Sequence, residues 1–291
     1  MSVFHWGELE AQARAGFGER ASAVSRLVRP WLPHGADDFL SHQNLLVVGA
    51  QDDDGRLWAS LFTGPRGFVS APDDESVHVR ALLDADDPAA PLTRREGRLG
   101  LLAIDLETRL RLRVNGAATP APDGLRLAVA QAFPNCPKYI QKRHVVETGD
   151  SVPGVSVRTP ALTAEMSDLV TDADTFFVAS ASDTGDPDVS HRGGNPGFVE
   201  LLSPARLRWA DYAGNSMLMT LGNIIENPRT GLLLVDWATG TTLQLTGRAQ
   251  VRWPEGETGP RAVEFEIDEA VYRPRSLPAH WSAPTPSRFN P

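Results

Sequence analysis

The chain contains Gly185-Asp-Pro-Asp-Val-Ser190 followed by Gly194-Asn-Pro-Gly-Phe-Val199, and a related pair of segments lies 130 residues earlier. The earlier pair reads Gly55-Arg-Leu-Trp-Ala-Ser60 and Gly64-Pro-Arg-Gly-Phe-Val69. The Gly, the Ser and the Gly-Phe-Val tripeptide coincide in the two pairs. Turn chemistry alone can place Gly and Pro at matching positions, but it does not explain matches that keep one order along the chain. The sequence therefore predicts an internal duplication.

A second block of matches supports the duplication. Gly100-Leu-Leu-Ala-Ile-Asp105 aligns with Gly231-Leu-Leu-Leu-Val-Asp236 at an offset of 131, and further Thr, Leu and Gly residues match downstream. One inserted residue between the blocks accounts for the change of offset from 130 to 131. We expect two copies of one fold in tandem.

Each copy is predicted as a short helix followed by short apolar strands that Gly, Pro and Asp turns separate. The predicted helices lie near residues 4–15, 37–41, 161–170 and 215–226. The predicted strands lie near 44–51, 57–62, 77–82, 99–105, 109–115 and 125–130, and near 175–181, 188–192, 207–210, 231–236 and 241–251. Many short strands are typical of a barrel or a sandwich, so the predicted fold class is mainly β with short helices, an α+β arrangement.

The predicted domains are residues 1–150 and residues 151–275, followed by a tail of residues 276–291. A linker rich in Gly, Pro, Ser and Val, Thr148 to Pro160, places the boundary near residue 150. The tail carries four prolines. Because proline cannot donate to a strand ladder, we expect the tail to run over the surface without a regular element, free to clasp a partner.

Composition narrows the class of protein. The net charge is −9 over 291 residues, with no long Lys/Arg cluster, so nucleic acid is not an expected partner. The apolar runs are far shorter than the roughly 20 residues of a membrane helix, and the N-terminus lacks the basic and apolar regions of a signal peptide. A single cysteine, Cys136, fits a reducing compartment. We expect a cytoplasmic protein without a membrane partner.

Metal and hydrolase motifs are absent from the sequence. The seven histidines show no paired ligand spacing, so no metal site is predicted. No nucleophile elbow, P-loop or dinucleotide fingerprint occurs either. Lysine occurs only at Lys138 and Lys142, so we expect arginine to bind any anionic ligand.

Most of the second copy resembles one known superfamily, that of the pyridoxamine 5′-phosphate oxidase-like, FMN-binding split barrels. The resemblance lies in five segments, which are residues 188–199, 207–216, 219–223, 227–233 and 243–249. In the first copy, Phe133-Pro-Asn-Cys-Pro-Lys-Tyr-Ile140 is similar to bacterial members of a two-repeat branch. The resemblance implies antiparallel barrels that pair with flavin in the groove between them. We therefore expect two tandem split β-barrels packed as a pseudo-dimer, and possible pairing of two chains as a homodimer.

The resemblance also implies a set of flavin-binding residues in the second copy. Carried over by position, they are Arg192 on an early strand, the loop Asp211 to Asn215 with Tyr212, the helix start with Ser216 and Thr220, and Gln244 on a late strand facing the ring. The phosphate lysine of the oxidase has no counterpart here, and neither do its substrate-phosphate residues. The resemblance therefore implies a flavoprotein without implying oxidation of pyridoxamine phosphate.

The residue types suit an FMN phosphate, which needs a guanidinium fork with hydroxyl and backbone donors. Arg192, Ser190, Ser216 and Thr220 can supply these donors. Gly193 removes a side chain where phosphate or ring would approach the backbone. The alternative interpretation of such glycines is ordinary turn geometry.

The first copy is expected to have lost its phosphate site. Phe62 stands where Arg192 stands in the second copy, and residues 84–91 replace the loop of the site. Arg109, Arg111 and Arg113 alternate along one predicted strand and could form the other wall of the groove, or a solvated strand face.

Two further residues are candidates for catalysis. His191 could donate to the flavin or move a proton, but adjacent strand residues face opposite ways, so a structural role is the alternative. Cys136 could be an activated thiol near Lys138 or a buried structural thiol.

The sequence favours an FMN-dependent oxidoreductase in which the flavin performs hydride or electron transfer on a small-molecule substrate. NADH or NADPH is a candidate electron donor, and FAD is a possible substitute for FMN. The alternative is a non-catalytic carrier or sensor that binds flavin or haem.

Overall fold

The computed structural model describes residues 3–148, 152–214, 216–254 and 261–291. Strands dominate these residues, and six short helices accompany them: α1 (Trp6–Arg14), α2 (Gly18–Ser25), α3 (Ala36–Ser41), α4 (Ala90–Thr93), α5 (Ala164–Asp172) and α6 (Met219–Glu226). The prediction of a mainly β fold with short helices is confirmed. The predicted boundary at residue 150 lies outside the described residues.

The first half forms one antiparallel sheet of seven strands, in the order β2-β1-β5-β6-β7-β4-β3. Its strands are β1 (Leu45–Gln51), β2 (Leu57–Thr63), β3 (Val69–Ser70), β4 (Ser76–Val79), β5 (Gly97–Asp105), β6 (Leu110–Ala121) and β7 (Gly124–Pro134). The two strands that follow in the chain, β8 (Val145–Thr148) and β9 (Val157–Thr159), lie outside this sheet.

The second half forms a sheet whose main path has the order β11-β10-β14-β15-β16-β13-β12, with β9 added beside β16. Its strands are β10 (Thr175–Ala181), β11 (Pro187–Gly193), β12 (Val199–Ser203), β13 (Arg206–Asp211), β14 (Arg229–Asp236), β15 (Thr241–Arg252) and β16 (Arg261–Arg273). Taken in chain order, the seven strands of each half occupy the same places in their sheets. The residues that the sequence aligns therefore occupy matching strands.

Gly116 and Gly247 show how closely the two sheets correspond. Both lie where the register of the longest hairpin shifts, between Asn115 and Gly116 in β6 and between Thr246 and Gly247 in β15. A Cβ at either glycine would collide with a backbone oxygen of the neighbouring strand. Each half needs a glycine here because the two backbones approach too closely for a side chain.

Each sheet encloses an apolar core of its own, and a third core joins the halves. Successive side chains of a strand face opposite sides. In the early strands, one set therefore packs in the core of its own half and the other set packs in the shared core. In β1, Leu46 and Val48 pack inside the first half, whereas Leu45 and Val47 pack in the shared core against residues such as Phe177. The two halves thus form one packed body, as expected for paired split barrels.

Two glycines allow the halves to approach. A Cβ on Gly100 of β5 would lie 2.8 Å from the Cα of Asp188 in β11. A Cβ on Gly231 of β14 would lie 2.5 Å from the backbone oxygen of Leu57 in β2. Because Gly231 aligns with Gly100 in the sequence, the two contacts are reciprocal, as in a two-fold interface.

The prediction that the tail forms no regular element is wrong. Its residues Ala279–Trp281 form β17, which pairs with β8 in a two-stranded sheet. The Trp281 ring is buried in the shared core, with its centroid 5.0 Å from that of Trp237. The prolines flank these three residues, so a short strand and burial of a large aromatic side chain are both possible here.

Helix α1 packs on α6 where Gly7 of α1 meets Gly222 of α6. A Cβ on Gly222 would lie 2.5 Å from the Cα of Glu8, so a larger residue would push the helices apart. The side chain of Gln12 donates to the backbone oxygen of Met217 at 2.8 Å, just before α6 begins. The N-terminal helix therefore fixes the position of the start of α6. No helix within the described part of the chain is long and apolar enough to span a membrane.

Candidate functional site

A cleft between the two halves is lined by residues from both. The first half contributes β6 and the segment that follows β7, including Arg111, Arg113 and Tyr139. The second half contributes the end of β11, the end of β13 and the start of α6. We call this space the cleft.

A buried polar network joins the two halves at the cleft. Arg113 pairs with Asp188 at 2.7 Å between Nη1 and Oδ2, and its Nη2 donates to the Ser190 hydroxyl at 2.6 Å. The hydroxyls of Ser190 and Thr220 lie 2.8 Å apart. The ring of Phe133 lies 5.1 Å from the Arg113 guanidinium carbon, within range of a cation–π contact. This network holds β6, β11 and α6 together.

Arg111 brings a second guanidinium to the cleft without a counter-ion. No ion pair joins it to another described residue, and its buried Nε has no hydrogen-bond partner. Burial, together with the nearby positive charges of Arg113 and Arg192, lowers the pKa of Arg111 to about 9. The arginine nonetheless remains charged near neutral pH. An anion in the cleft would therefore relieve an unbalanced positive charge.

Arg192 is the third guanidinium of the cleft. Its Nη2 lies 3.9 Å from Asp211, its Nη1 donates to the His191 oxygen at 3.2 Å, and its Nε has no partner among the described residues. Asp211 forms a closer ion pair with Arg261, which donates to it from Nε at 3.1 Å and from Nη2 at 3.0 Å. Arg192 thus keeps free donors for a ligand.

His191 is buried in the wall of the cleft, and its Nε2 has no partner within the described ranges. Burial lowers the pKa of His191 well below its usual value, and Arg111, Arg192 and Arg143 lower it further. The imidazole is therefore neutral near pH 7. In β11 it lies opposite Phe177, whereas Arg192 lies opposite Phe176, so the two side chains take opposite faces of the strand, as predicted.

The backbone around the cleft takes an unusual conformation. Tyr139, Ser216 and Leu218 have φ angles of 65°, 66° and 55°, in the left-handed region that favours glycine. Such residues are held in place by their surroundings and cluster at ligand sites. Leu218 is the N-cap of α6, and residues 217–221 line the cleft. The first amides of α6 therefore lie at the cleft wall, where a helix favours an anion.

Two tyrosines lie at the cleft, one from each half. The ring centroids of Tyr139 and Tyr212 are 5.2 Å apart, and the Tyr139 hydroxyl donates to the Ala213 oxygen at 3.1 Å. Cys136 and Lys138 line the same region, and Cys136 is partly buried. A flat aromatic ligand could contact these tyrosines.

The structure brings most of the predicted site residues together. Among the residues named from the sequence, those that line the cleft are Ser190, His191, Arg192, Gly193, Asp211, Tyr212, Ser216, Thr220 and Cys136. Asn215 lies outside the described residues. Of the three alternating arginines, Arg111 and Arg113 line the cleft, but Arg109 donates to the Ile140 and Thr285 oxygens instead.

Gln244 does not lie in the cleft. It is buried against the first half, where its Nε2 donates to the Ala59 oxygen at 3.0 Å and to Asp87 at 3.2 Å. Strand β15 belongs to the second half, but Gln244 on this strand contacts the first half. Its side chain therefore lies on the other side of the interface from the cleft. Arg113, which aligns with Gln244 at the offset of 131, takes this position at the cleft.

The sequence interpretation missed three groups that shape the cleft: Asp188, Arg261 and the side chains of α1. Asp188 could have been found from alternation, because residues 188, 190 and 192 share a strand face. Arg261 lies on β16, a strand that was not predicted, so its pairing with Asp211 was not expected. The residues covered by the structure contain no group of three or more His, Cys, Asp or Glu side chains placed to hold a metal ion.

The fold is that of two split-barrel domains with the cleft between them. The family model for pyridoxamine 5′-phosphate oxidase matches residues 162–270, so the resemblance seen in the second half of the chain is confirmed. The match covers α5, strands β10 to β15 with Arg192 on β11, and most of β16. No curated protein matches the chain.

Several solved structures are similar to one half of the chain. A candidate pyridoxamine 5′-phosphate oxidase from Lactobacillus delbrueckii is 20% identical with a TM-score of 0.33, covering 38% of this chain and 94% of its own. An FAD-binding protein from Mesorhizobium loti is 16% identical with a TM-score of 0.30, covering 42% and 99%. A haem storage protein from Vibrio cholerae is 10% identical with a TM-score of 0.29, covering 39% and 95%. These likenesses are weak, so the function is argued from the cleft itself.

The residues of the cleft fit the phosphate end of a flavin nucleotide. The fit rests on the unpartnered Nε atoms of Arg111 and Arg192, together with the hydroxyls of Ser190 and Thr220. A phosphate carries close to two negative charges at pH 7 and accepts hydrogen bonds through three oxygens. The donor set and the excess positive charge are those that such a group requires.

Proposed function

We propose that the cleft binds flavin mononucleotide, with its phosphate held by Arg192 and Arg111. The observation that carries this proposal is the unbalanced charge. Arg113 and Asp188 neutralise each other, as do Arg261 and Asp211. Arg111 and Arg192 keep hydrogen-bond donors for which no described carboxylate lies within hydrogen-bond distance.

The rest of the cleft supports the same ligand. Gly193 leaves no room for a side chain, because a Cβ there would collide with the Tyr139 backbone oxygen. The tyrosines Tyr139 and Tyr212 offer aromatic surface near the Arg192 end. A bound flavin would supply hydride or electron transfer. The neutral His191 can donate one hydrogen bond or accept one, but it cannot supply a positive charge near pH 7.

The test is a titration of the purified protein with FMN, followed by visible absorption and flavin fluorescence, with riboflavin as the matched ligand. Riboflavin has the same ring and lacks the phosphate. We expect saturable binding of FMN and at least about tenfold weaker binding of riboflavin, because a charge-assisted hydrogen bond contributes about 1.5–3 kcal/mol. Equal affinities would show that the arginines do not bind the phosphate, and absence of both would contradict the proposal. FAD in the same titration tests the substitute cofactor.

We further propose that the flavin-loaded protein is an oxidoreductase that accepts electrons from NADH or NADPH. The cleft is open to solvent on the side of the tyrosines, where Tyr139 and Tyr212 are partly exposed, so a second molecule could approach a bound ring. Turnover of NADH or NADPH by the loaded protein supports this step. Tight FMN without turnover with either donor supports the carrier or sensor instead.

Haem is the second candidate ligand, and one observation favours it. His191 is neutral and its Nε2 has no partner among described groups, which are the properties of an axial ligand to iron. The measurement is the Soret band after addition of haem to wild-type protein and to His191→Gln. A band that the substitution shifts or removes supports haem. Flavin binding that both proteins share supports the flavin.

We also infer that the two halves arose by duplication. The inference rests on the shared strand order, the matched bulge glycines Gly116 and Gly247, and the reciprocal contacts of Gly100 and Gly231. Expression of residues 152–291 alone tests whether the second half keeps a dimer-forming face. We expect it to self-associate through the surface that the first half covers, and a stable monomer would argue against this origin of the interface.

A further inference from the structure

We propose that the chain contains a second anion-binding site, related to the cleft by the pseudo-two-fold axis, and that the carboxylate of Asp87 occupies it. The site consists of Ser60, Asp87, Gln244 and Arg273, and we call it the closed cluster. A small oxyanion such as phosphate would bind there if the Asp87 carboxylate were removed. The inference rests on contacts outside the cleft and does not require that the cleft bind flavin.

The members of the closed cluster correspond to residues of the cleft. Ser60 aligns with Ser190 at an offset of 130, and Gln244 aligns with Arg113 at an offset of 131. Strand pairing extends the correspondence to the longest hairpin of each half. Arg273 is paired with Thr242, which aligns with Arg111, so Arg273 takes the place that Asn135 takes opposite Arg111 in the cleft.

The hydroxyl of each serine also forms a hydrogen bond with a side chain of its own half. In the cleft, the Ser190 hydroxyl lies 2.8 Å from the Thr220 hydroxyl and accepts from Arg113. In the closed cluster, the Ser60 hydroxyl donates to Asp87 at 2.5 Å. Asp87 therefore lies where the two arrangements differ: a carboxylate contacts the serine in the first half, whereas in the second half the serine contacts the Thr220 hydroxyl and Arg113.

The Asp87 carboxylate accepts hydrogen bonds as a bound anion would. Its Oδ2 accepts from Ser60 and, at 2.9 Å, from Nη1 of Arg273. Its Oδ1 accepts from the Ala89 backbone amide at 2.8 Å and from Nε2 of Gln244 at 3.2 Å. Four donors from both halves of the chain thus converge on one carboxylate that is 3% exposed.

These contacts offset part of the cost of burying the Asp87 charge. Burial raises the pKa of Asp87, and Arg273, Ser60, the Ala89 amide and Gln244 oppose that rise because each favours the charged form. If the carboxylate were absent, Gln244 would keep the Ala59 oxygen and Arg273 would keep Asp84 as acceptors. The Ser60 hydroxyl, the Ala89 amide and Nη1 of Arg273 would lose theirs. A buried site with one cation and several hydrogen-bond donors is suited to a small oxyanion.

Arg273 connects the closed cluster to the surface of the protein. It also lines a surface cavity together with Asp84 and Asp86. Asp84 accepts from Nη2 of Arg273 at 2.7 Å, and its side chain is 58% exposed. The same arginine therefore contacts both the closed cluster and a residue that solvent reaches. At the position of Arg192, the first half has the buried Phe62, so the second site has fewer cations than the cleft.

The experiment measures the number of phosphate ions bound per chain, by equilibrium dialysis of labelled inorganic phosphate against wild-type protein and Asp87→Ser. We expect Asp87→Ser to bind one phosphate more than wild type. The matched control is Asp84→Ser, which removes the exposed partner of the same Arg273 and should leave the number unchanged. The double substitution Asp87→Ser with Arg273→Gln should lose the added ion.

The outcomes separate this inference from the proposed function. If wild type binds no phosphate and Asp87→Ser binds one, the closed cluster is a latent anion site although the cleft is not a phosphate site. An unchanged number in Asp87→Ser would overturn the inference. If Asp87→Ser is unfolded in phosphate-free buffer, we expect phosphate to restore its circular dichroism spectrum while chloride at equal ionic strength does not. Failure of phosphate to restore it would equally overturn the inference.

Discussion

Arg113 and Asp188 form a buried ion pair across the boundary of the two halves, with 2.7 Å between Nη1 and Oδ2. Both side chains are more than nine-tenths buried. The pair lies beside the Ser190 and Thr220 hydroxyls, so one interaction both joins the halves and forms part of the cleft wall. The cleft therefore depends on the correct association of the halves.

The first prediction concerns the Arg113–Asp188 ion pair. Asp188→Asn leaves the buried Arg113 charge without its counter-ion, and breaking such a pair typically costs about 3–5 kcal/mol. We expect a matching loss in the free energy of unfolding, measured by urea denaturation. Asp186→Asn is the control, because Asp186 is exposed at the start of the same strand and pairs with Arg98 at the surface. Equal stability of Asp188→Asn and wild type would show that the ion pair does not stabilise the fold.

The second prediction concerns Arg192. Arg192→Ala should weaken FMN binding about 10- to 100-fold, because it removes a charge-assisted contact to the phosphate. The affinity for riboflavin should change little. Arg206→Ala is the matched control, since Arg206 lies on β13 and pairs with Glu264 at the surface. Unchanged FMN affinity in Arg192→Ala would remove this residue from the site.

The third prediction tests the position of Gln244. Gln244→Ala should leave FMN affinity within about twofold of wild type while it lowers stability, because the side chain contacts Asp87 and not the cleft. Asp87 would lose one of its donors, which costs about 1–3 kcal/mol for a buried group. Calorimetry of FMN binding together with thermal unfolding separates the two effects. A large loss of affinity with intact stability would return Gln244 to the flavin site.

The fourth prediction is a pH dependence of stability from α1. Burial raises the pKa of Glu8 to about 7 from the usual 4.5. Burial also opposes the charge on His5, but contacts with Glu8, Asn223 and Glu226 outweigh it and raise the His5 pKa. A group with a raised folded pKa contributes stability at low pH that is lost as pH rises. Stability should therefore fall between about pH 4.5 and pH 7 as Glu8 ionises, and His5 adds a loss above about pH 6.5.

The measurement is the urea midpoint across that range for wild type and Glu8→Gln, which keeps the shape of the protonated acid. The substitution should flatten the profile. Glu10→Gln, on the same helix and paired with the exposed Arg14, should follow wild type. A Glu8→Gln profile as steep as that of wild type would show that Glu8 does not titrate in this window.

The fifth prediction concerns the interface glycines. Gly100→Val places a side chain against the backbone of β11, where even a Cβ would lie 2.8 Å from Asp188 Cα. Overpacking of this kind costs about 1–3 kcal/mol or more, so we expect lower thermal stability and loss of FMN binding together. Gly97→Val, in the same strand, is the control because a Cβ there meets no atom within 4 Å. Unaffected stability in Gly100→Val would show that the halves can shift apart at little cost.

Local patterns predicted the early strands of each half well. The predicted strand at 175–181 coincides with β10, and those at 44–51 and 57–62 are within one residue of β1 and β2. These strands are apolar on both faces because each lies between two cores, so continuous apolar runs revealed them. Strand β16 was missed, although Arg261-Ala-Val-Glu-Phe-Glu-Ile-Asp268 alternates polar and apolar residues as a half-exposed strand does.

The cleft was predicted between the two halves, with arginines of the first half as candidates for its second wall, and Arg111 and Arg113 line it. Residues in β11 and α6 were found, because the resemblance assigned them to consecutive segments. Gln244 was misplaced, since a residue on β15 reaches the opposite side of a pseudo-two-fold interface, and no local pattern indicates which side that is. The tail failed for a related reason: Trp281 is buried by contacts with residues far away in the chain.

Because one chain contains both the cleft and the closed cluster, a substitution can alter one of them and leave the other unchanged. In an assembly of two identical chains, every substitution appears twice, so a carboxylate like Asp87 would enter both ligand positions at once. Here Ser60 and Ser190 are encoded separately, and so are Gln244 and Arg113. One position can therefore lose its ligand and become part of the scaffold, while the other keeps its arginines under independent selection.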